Sequence, residues 1–156
     1  MLREIFIIGI GGQGALTVGE IILIAANKKN YGASFYPFYG SQMRGGEAGC
    51  IVKIDTDGND ILNPTINLPD DFIILSDKFF DKYKNFENAN SKYYRYDEKD
   101  ITNLKDVDIK KNLNILVLKK YIGVSKLFSD DDIIDAIKVK FKKEEVYNSK
   151  IAIYNN

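Results

Sequence analysis

The chain begins with an apolar run that predicts a buried strand. Residues 5–8 are continuously β-branched or aromatic, which is typical of a central strand covered on both faces. The glycine-rich residues 9–14 follow, and apolar side chains then recur at helical spacing as far as Ala26. Gly32 predicts the end of that helix. The start of the chain therefore predicts a strand, a glycine-rich turn and a helix.

Later apolar segments predict further strands, separated by turn residues. Pro37 predicts the end of the second strand, because proline has no amide hydrogen to give to a ladder. The glycine-rich residues 38–49 after it are predicted to form a loop, and Asp57-Gly58 predicts a turn. The four later strands are expected at residues 33–36, 50–54, 72–75 and 93–96.

Helical spacing returns in the second half of the chain. Residues 78–86 predict a short amphipathic helix, and residues 115–128 carry a strong apolar stripe. Ser129 predicts the N-cap of a last helix, with acidic residues 130–132 in its first turn. Its expected buried face is formed by Ile133, Ile134, Ile137 and Phe141. Residues 88–111 are polar and weakly patterned. The alternation of strands and helices predicts one α/β domain over residues 1–156, with an open, largely parallel sheet and helices on both faces.

Composition narrows the possible chemistry. The 22 basic residues balance 22 acidic ones, which argues against a nucleic-acid partner, since nucleic-acid binders carry a basic face. One cysteine and no histidine leave no internal disulfide, no iron–sulfur ligand set, and neither the commonest general base nor the commonest zinc ligand. We therefore expect no catalytic residue and no metal site on this chain. No apolar stretch approaches the ~20 residues that span a bilayer, so we expect no membrane contact and a cytoplasmic location.

The glycines between the first strand and helix form the first candidate site. Gly9, Gly11 and Gly14 match the G-x-G-x-x-G spacing, which lets a ligand approach backbone amides at a helix start. An anion or the edge of a cofactor would suit those amides, whereas simple close packing of the helix needs no ligand. A dinucleotide also requires an acidic residue at the end of the second strand, where residues 35–37 are Phe-Tyr-Pro. All three interpretations remain open at this point.

A second glycine-rich loop carries aromatic residues, a methionine and an arginine. In an open α/β sheet this loop and the first one emerge at the same edge. Arg44 could therefore present its guanidinium to a carboxylate or phosphate near the first loop. It could equally pair with Glu47 or lie in a subunit interface, where tyrosine, methionine and arginine are enriched. Cys50 follows within a strand and is interpreted as a small buried packing residue, because no histidine is present to activate it.

These two loops together resemble the gamma subunit of 2-oxoacid:ferredoxin oxidoreductases. The resemblance rests on Gly-Ile-Gly-Gly-Gln-Gly with Thr17 and Gly19, on Tyr39-Gly40-x-x-x-Arg44-Gly45-Gly46, and on Cys50-x-Val52. It continues more loosely through Asn63-Pro64, residues 114–122, Gly123, Ser129 and Asn148, and it leaves out residues 88–111. The Tyr-Gly and Arg-Gly-Gly pairs with the nearby cysteine favour the 2-oxoglutarate or 2-oxoisovalerate branch over the pyruvate branch. One departure is Lys119, which stands where the family has a small residue.

The resemblance implies a subunit of a complex that converts a 2-oxoacid, coenzyme A and oxidised ferredoxin into an acyl-CoA, CO2 and reduced ferredoxin. Thiamine diphosphate, magnesium and iron–sulfur clusters are then expected on alpha, beta and ferredoxin-like delta subunits, with no cofactor bound by this chain alone. The expected binding wall comprises Gly9, Gly11, Gly12, Gln13, Gly14 and Thr17, together with Tyr39, Gly40, Arg44, Gly45 and Gly46. Two alternatives stay open: a free-standing nucleotide-binding or regulatory domain, and a scaffold whose glycines only fit a partner.

Overall fold

The computed structural model describes residues 1–42, 45–65, 68–96 and 111–156. Within these ranges five strands form one sheet in the order β2-β3-β1-β4-β5. Their bounds are Leu2–Ile10 for β1, Gly32–Tyr39 for β2, Glu47–Asp55 for β3, Asp71–Ile74 for β4 and Lys92–Tyr94 for β5. Strands β1, β2, β4 and β5 share one direction, and β3 runs antiparallel to both of its neighbours. The predicted α/β fold with a largely parallel open sheet is confirmed.

Helices cover both faces of this sheet, as predicted. The described α-helices are α1 (Ala15–Lys28), α2 (Leu113–Ser125), α3 (Asp130–Phe141) and α4 (Glu144–Tyr154), and they share one hydrophobic core with the sheet. A 3₁₀ helix, Asp77–Phe86, packs its aromatic side chains on the opposite face. None of the helices in the described ranges is long and apolar enough to cross a membrane.

Strand β1 shows why a continuous apolar run marks a central strand. Ile5 and Ile7 belong to the core beneath the α-helices, whereas Phe6 and Ile8 belong to the core beneath the 3₁₀ helix. All four side chains are at most 2% exposed. Because successive strand residues point to opposite faces, burial on both faces removes the usual polar alternation.

Several predicted boundaries were wrong, and the sheet order explains the largest error. Strand β2 does not stop at Pro37 but continues to Tyr39. Because β2 is an edge strand, it has a neighbour on one side only, and the missing amide hydrogen of the proline breaks no hydrogen bond on the open side. Strand β3 starts at Glu47, so the connection predicted at residues 38–49 is confined to residues 40–46. Helix α1 ends at Lys28, and Gly32 instead begins β2.

Other differences concern the second half of the chain. The predicted helix at residues 78–86 is a 3₁₀ helix, and the strand expected at 93–96 is β5 at Lys92–Tyr94. Helix α4 was not predicted; only Ile153 and Tyr154 of its residues are buried, so its apolar pattern is weak. Most of the polar segment 88–111 lies outside the described residues.

The predicted N-cap of α3 is confirmed with its full hydrogen-bond pattern. The Ser129 hydroxyl accepts from the Asp132 amide at 3.2 Å, and the Asp132 carboxylate accepts from the Ser129 amide at 2.9 Å. Lys119, which is expected to depart from the pattern of the resemblance, lies next to this helix. Its ammonium pairs with Asp130 at 2.9 Å and lies 4.6 Å from the ring centroid of Tyr154.

Two helical glycines allow a matched test of the packing of α1 on the sheet. A Cβ at Gly19 would lie 2.4 Å from Cys50 Sγ and 2.8 Å from Phe35 Cε2, whereas a Cβ at Gly123 would meet nothing within 4 Å. We expect Gly19→Ala to lower the free energy of unfolding by about 1–3 kcal/mol. Gly123→Ala should leave it unchanged or raise it by up to about 1 kcal/mol. Urea unfolding of both variants measures the difference, and equal effects would contradict close packing at Gly19.

Candidate functional site

The two glycine-rich turns meet at one edge of the sheet. The β1–α1 turn, residues 11–14, follows β1, and the β2–β3 turn, residues 40–46, precedes β3. Because β3 runs antiparallel beside β1, with Ile10 opposite Glu47, the second turn arrives next to the first. The Gly11 amide donates a hydrogen bond to the Gly46 carbonyl at 2.8 Å. The predicted common edge of the two motifs is therefore present.

Between these turns and the first turn of α1 lies a cleft of about 470 Å³, which we call the glycine cleft. The predicted residues that line it are Gly11, Gly12, Gly14, Thr17, Tyr39 and Gly46. Predicted residues that are not among its lining are Gly9, Gln13, Gly40 and Gly45. Arg44 lies outside the described residues, so its predicted contact remains a prediction.

Two glycines of the first motif are explained by local structure. Gly14 has φ +84°, and a Cβ there would lie 2.4 Å from Asn114 Nδ2, which itself donates to the Gly14 carbonyl at 3.4 Å. At Gly9, a Cβ would lie 2.9 Å from Gln13 Oε1, the atom that accepts from the Ile10 amide at 2.7 Å. The Gln13 side chain thus stabilises the β1–α1 turn by accepting a hydrogen bond from the backbone of Ile10. The simple packing interpretation accounts for these positions.

Gly11 and Gly12 differ, because a side chain at either position would face open space, although the φ of +95° at Gly12 itself favours glycine. A Cβ at Gly11 would meet only the Gly46 carbonyl, at 3.7 Å, and one at Gly12 would meet nothing within 4 Å. Both residues are exposed. Close packing therefore explains only part of the motif, and the exposed part borders the glycine cleft.

The start of α1 presents unpaired amides to this cleft. Its N-cap, Gly14, has no side chain to accept a hydrogen bond, and no acidic residue lies in the first turn. The first helical hydrogen bond runs from Val18 to the Gly14 carbonyl at 3.2 Å. Among the described residues nothing accepts from the amides of residues 15–17. Free amides at the positive end of a helix dipole favour an anionic ligand.

Glu47, a carboxylate that lines the cleft, is paired with two side chains of the 3₁₀ helix. It is buried, with 7% of its side chain exposed, and Lys82 Nζ lies 2.9 Å from its Oε2. The Tyr83 hydroxyl donates to Oε1. Burial, together with this carboxylate, raises the pKa of Tyr83 well above its usual range. These two partners were missed by sequence reasoning, because residues 82 and 83 lie 35 and 36 positions away with no local signal of contact.

The sheet order does not provide the dinucleotide arrangement. β3 separates β1 from β2, which places the ends of those two strands about 10 Å apart at the usual strand spacing. Strand β2 ends on Phe38 and Tyr39 rather than on an acidic residue. The described structure therefore lacks the second half of the dinucleotide fingerprint.

The described residues do not fit an iron–sulfur cluster, which needs several cysteine ligands. They contain no group of three cysteine or acidic side chains placed to hold a metal. Cys50 is fully buried, as predicted, and its thiol points to the Ala15 carbonyl at 3.7 Å. Burial, with a smaller contribution from the Glu20 charge, raises the pKa of this thiol far above its usual range.

Comparison with known proteins identifies the family. Residues 4–108 match the pyruvate ferredoxin/flavodoxin oxidoreductase family, and the chain belongs to this family. It is 35% identical over 77 residues to the ketoisovalerate oxidoreductase subunit VorA of Methanothermobacter thermautotrophicus, a match that covers 49% of the chain and 16% of VorA. It is 36% identical over 85 residues to the 2-oxoglutarate synthase subunit KorC of Methanocaldococcus jannaschii, covering 54% of the chain and 44% of KorC. The chain thus spans less than half the length of either relative.

Solved structures share the fold at low sequence identity. The 2-oxoglutarate:ferredoxin oxidoreductase of Magnetococcus marinus, solved with 2-oxoglutarate, coenzyme A and succinyl-CoA bound, matches 99% of this chain and 30% of its own, with a TM-score of 0.76 and 16% identity. The keto/oxoacid ferredoxin oxidoreductase gamma subunit of Geobacter sulfurreducens matches 98% and 94%, with a TM-score of 0.72 and 20% identity. The pyruvate oxidoreductase subunit PORC of Thermotoga maritima matches 99% and 96%, at 0.68 and 19%.

The burial of Cys50 predicts an inert thiol. At pH 8 the folded chain should not react with iodoacetamide over hours, because a thiol with a strongly raised pKa forms almost no thiolate and the reagent has no access to it. In urea the same cysteine should be labelled completely. Mass spectrometry reads the result directly, since the chain has one cysteine. Full labelling of the folded chain would contradict the packing role.

Proposed function

We propose that this chain is the gamma-type component of a 2-oxoacid:ferredoxin oxidoreductase complex, which converts a 2-oxoacid, coenzyme A and oxidised ferredoxin into an acyl-CoA, CO2 and reduced ferredoxin. Membership of the family supports the class of reaction. The observation that carries the proposal is the Gly11–Gly46 hydrogen bond, which joins the two motifs around one cleft.

The proposed role of the glycine cleft is to bind an anionic part of coenzyme A or of the oxoacid. Its volume of about 470 Å³ lies within the ~300–1,000 Å³ typical of ligand pockets. Free amides at the start of α1 can donate to phosphate or carboxylate oxygens. The Glu47 charge would oppose such a ligand, but Lys82 offsets it. We propose Arg44 as a further charged anchor beside this cleft.

The redox chemistry is proposed to belong to other subunits. Among the described residues, no group of three or more cysteine or acidic side chains could hold a metal ion. We propose that alpha, beta and ferredoxin-like delta subunits hold thiamine diphosphate, magnesium and the iron–sulfur clusters, and that ferredoxin is reached through the complex. In this arrangement the chain contributes a binding wall and no catalytic residue.

The substrate branch is proposed to be 2-oxoglutarate or a branched-chain 2-oxoacid. Two relatives at about a third identity carry those names, a ketoisovalerate oxidoreductase subunit and a 2-oxoglutarate synthase subunit. The pyruvate oxidoreductase subunit PORC is similar at 19% identity, which supports the fold alone.

Thr17 tests whether the cleft holds an anion. Thr17→Asp places a negative charge in the first turn of α1, which should stabilise the helix by about 0.3–1 kcal/mol while repelling the ligand. In the reconstituted complex we expect KM for coenzyme A or for the oxoacid to rise on the order of tenfold. Thr17→Asn is the control, because asparagine is the uncharged isostere of aspartate, and it should keep KM near the original value. Unchanged KM values in both variants would contradict an anion in the cleft.

A free-standing nucleotide-binding domain is the second candidate, and the G-x-G-x-x-G spacing at a helix start favours it. That function requires the purified chain to bind ADP or NAD without partners. Because the acidic residue at the end of β2 is missing, we expect isothermal titration to detect no binding of either nucleotide at millimolar concentration. Saturable micromolar binding would instead support the second candidate.

A further inference from the structure

The 3₁₀ helix Asp77–Phe86 contacts the β2–β3 turn from the face opposite to α1. Lys78 Nζ donates to the Gly45 carbonyl at 3.2 Å, and Lys82 Nζ pairs with Glu47 Oε2 at 2.9 Å. The Tyr83 hydroxyl donates to the other carboxylate oxygen of Glu47. Three side chains of one short helix therefore reach the C-terminal end of the segment that carries the second motif.

Glu47 is the residue on which these contacts converge. Its carbonyl accepts from the Gly40 amide at 2.8 Å, which closes the turn, and its backbone pairs in register with Ile10 at the end of β1. A Cβ at Gly40 would lie 3.0 Å from Glu47 Cβ, so the two sides of the turn are already in close contact. Glu47 thus touches the turn, β1 and the 3₁₀ helix at once.

Tyr83, which donates to the Glu47 carboxylate, is held in place by aromatic packing. The Tyr83 ring lies 4.7 Å from the ring of Phe6 and 5.9 Å from the ring of Phe38, measured between centroids. Phe6 belongs to β1 and Phe38 to β2, so the tyrosine is packed against the sheet itself. Its hydroxyl is consequently a fixed point for the carboxylate rather than a mobile donor.

We propose that Glu47 is a positioning residue of the glycine cleft. By fastening the β2–β3 turn to the 3₁₀ helix, it sets the distance between the Gly46 wall and the start of α1. Its effect on the turn follows from the structure of this chain, whereas its effect on turnover rests on the proposed function.

A purely electrostatic role makes the opposite prediction for one variant. Glu47 lines the cleft, so its charge alone would repel an anionic ligand. If only that charge mattered, Glu47→Gln would improve anion binding and Lys82→Ala would weaken it. A positioning role predicts that both variants loosen the turn and weaken binding, because each one breaks the same ion pair.

Amide hydrogen exchange of the full chain, followed by NMR, tests the inference without any ligand. The Gly40 and Gly11 amides report on the hydrogen bonds to Glu47 and Gly46. We expect Glu47→Gln and Lys82→Ala to speed exchange at both amides on the order of tenfold. Lys82→Arg, which keeps the positive charge, should leave exchange at both amides slow. Lys84→Ala is the control, since Lys84 pairs with the exposed Asp81 and does not reach the turn.

Exchange in α3 separates a local effect from general destabilisation, because loss of global stability would speed it as well. If Glu47→Gln does not fold, the Lys82 variants carry the test, since the Lys82 side chain is 61% exposed. Unchanged exchange at Gly40 and Gly11 in Lys82→Ala and, if it folds, in Glu47→Gln would overturn the positioning role. So would a rise that spreads equally to α3.

Steady-state kinetics of the reconstituted complex then test whether the β2–β3 turn affects ligand binding in the cleft. We expect Glu47→Gln and Lys82→Ala to raise KM for coenzyme A or the oxoacid several-fold with a smaller change in kcat. Faster exchange at Gly40 with unchanged KM would keep the positioning inference and contradict the proposed ligand in the cleft. A lower KM in Glu47→Gln with a higher KM in Lys82→Ala would overturn positioning in favour of charge alone.

Discussion

The hydrogen bond from the Gly11 amide to the Gly46 carbonyl is the contact on which the candidate site depends. It exists because β3 returns antiparallel between β1 and β2, so that the turn before β3 meets the turn after β1. One reversed strand thus brings two distant glycine-rich motifs to a common cleft.

Two backbone segments with different roles form the cleft. The start of α1 supplies amides without acceptors in the described chain, and the β2–β3 turn supplies a wall that the 3₁₀ helix supports from behind. We infer that an acidic residue, Glu47, attaches this wall to the 3₁₀ helix, and its charge lies beside a place suited to an anion. Pairing with Lys82 and Tyr83 reconciles the two requirements, since both partners draw the carboxylate toward the 3₁₀ helix.

Local signals predicted much of this structure. The apolar run of β1, the glycine turn and the Ser129 cap each depend on neighbours within a few residues, and each was read correctly. The predicted end of β2 at Pro37 was wrong. An edge strand tolerates a proline, and the position of β2 at the edge follows from the order of strands in the sheet, which the local sequence does not show. The Glu47–Lys82 pair has no local signal at all, and α4 was missed because its apolar pattern is weak. Sequence therefore located the motifs, while long-range pairing determined how they meet.

The central claim is that this chain works as one wall of a reaction centre carried by partner subunits. Purification of the chain from its native source without oxygen tests this claim most directly. The claim predicts co-elution, in fixed proportion, with chains that carry thiamine diphosphate and iron–sulfur clusters and that oxidise a 2-oxoacid with coenzyme A. Elution of the chain without companions, or oxidation of a 2-oxoacid by the chain alone, would contradict it.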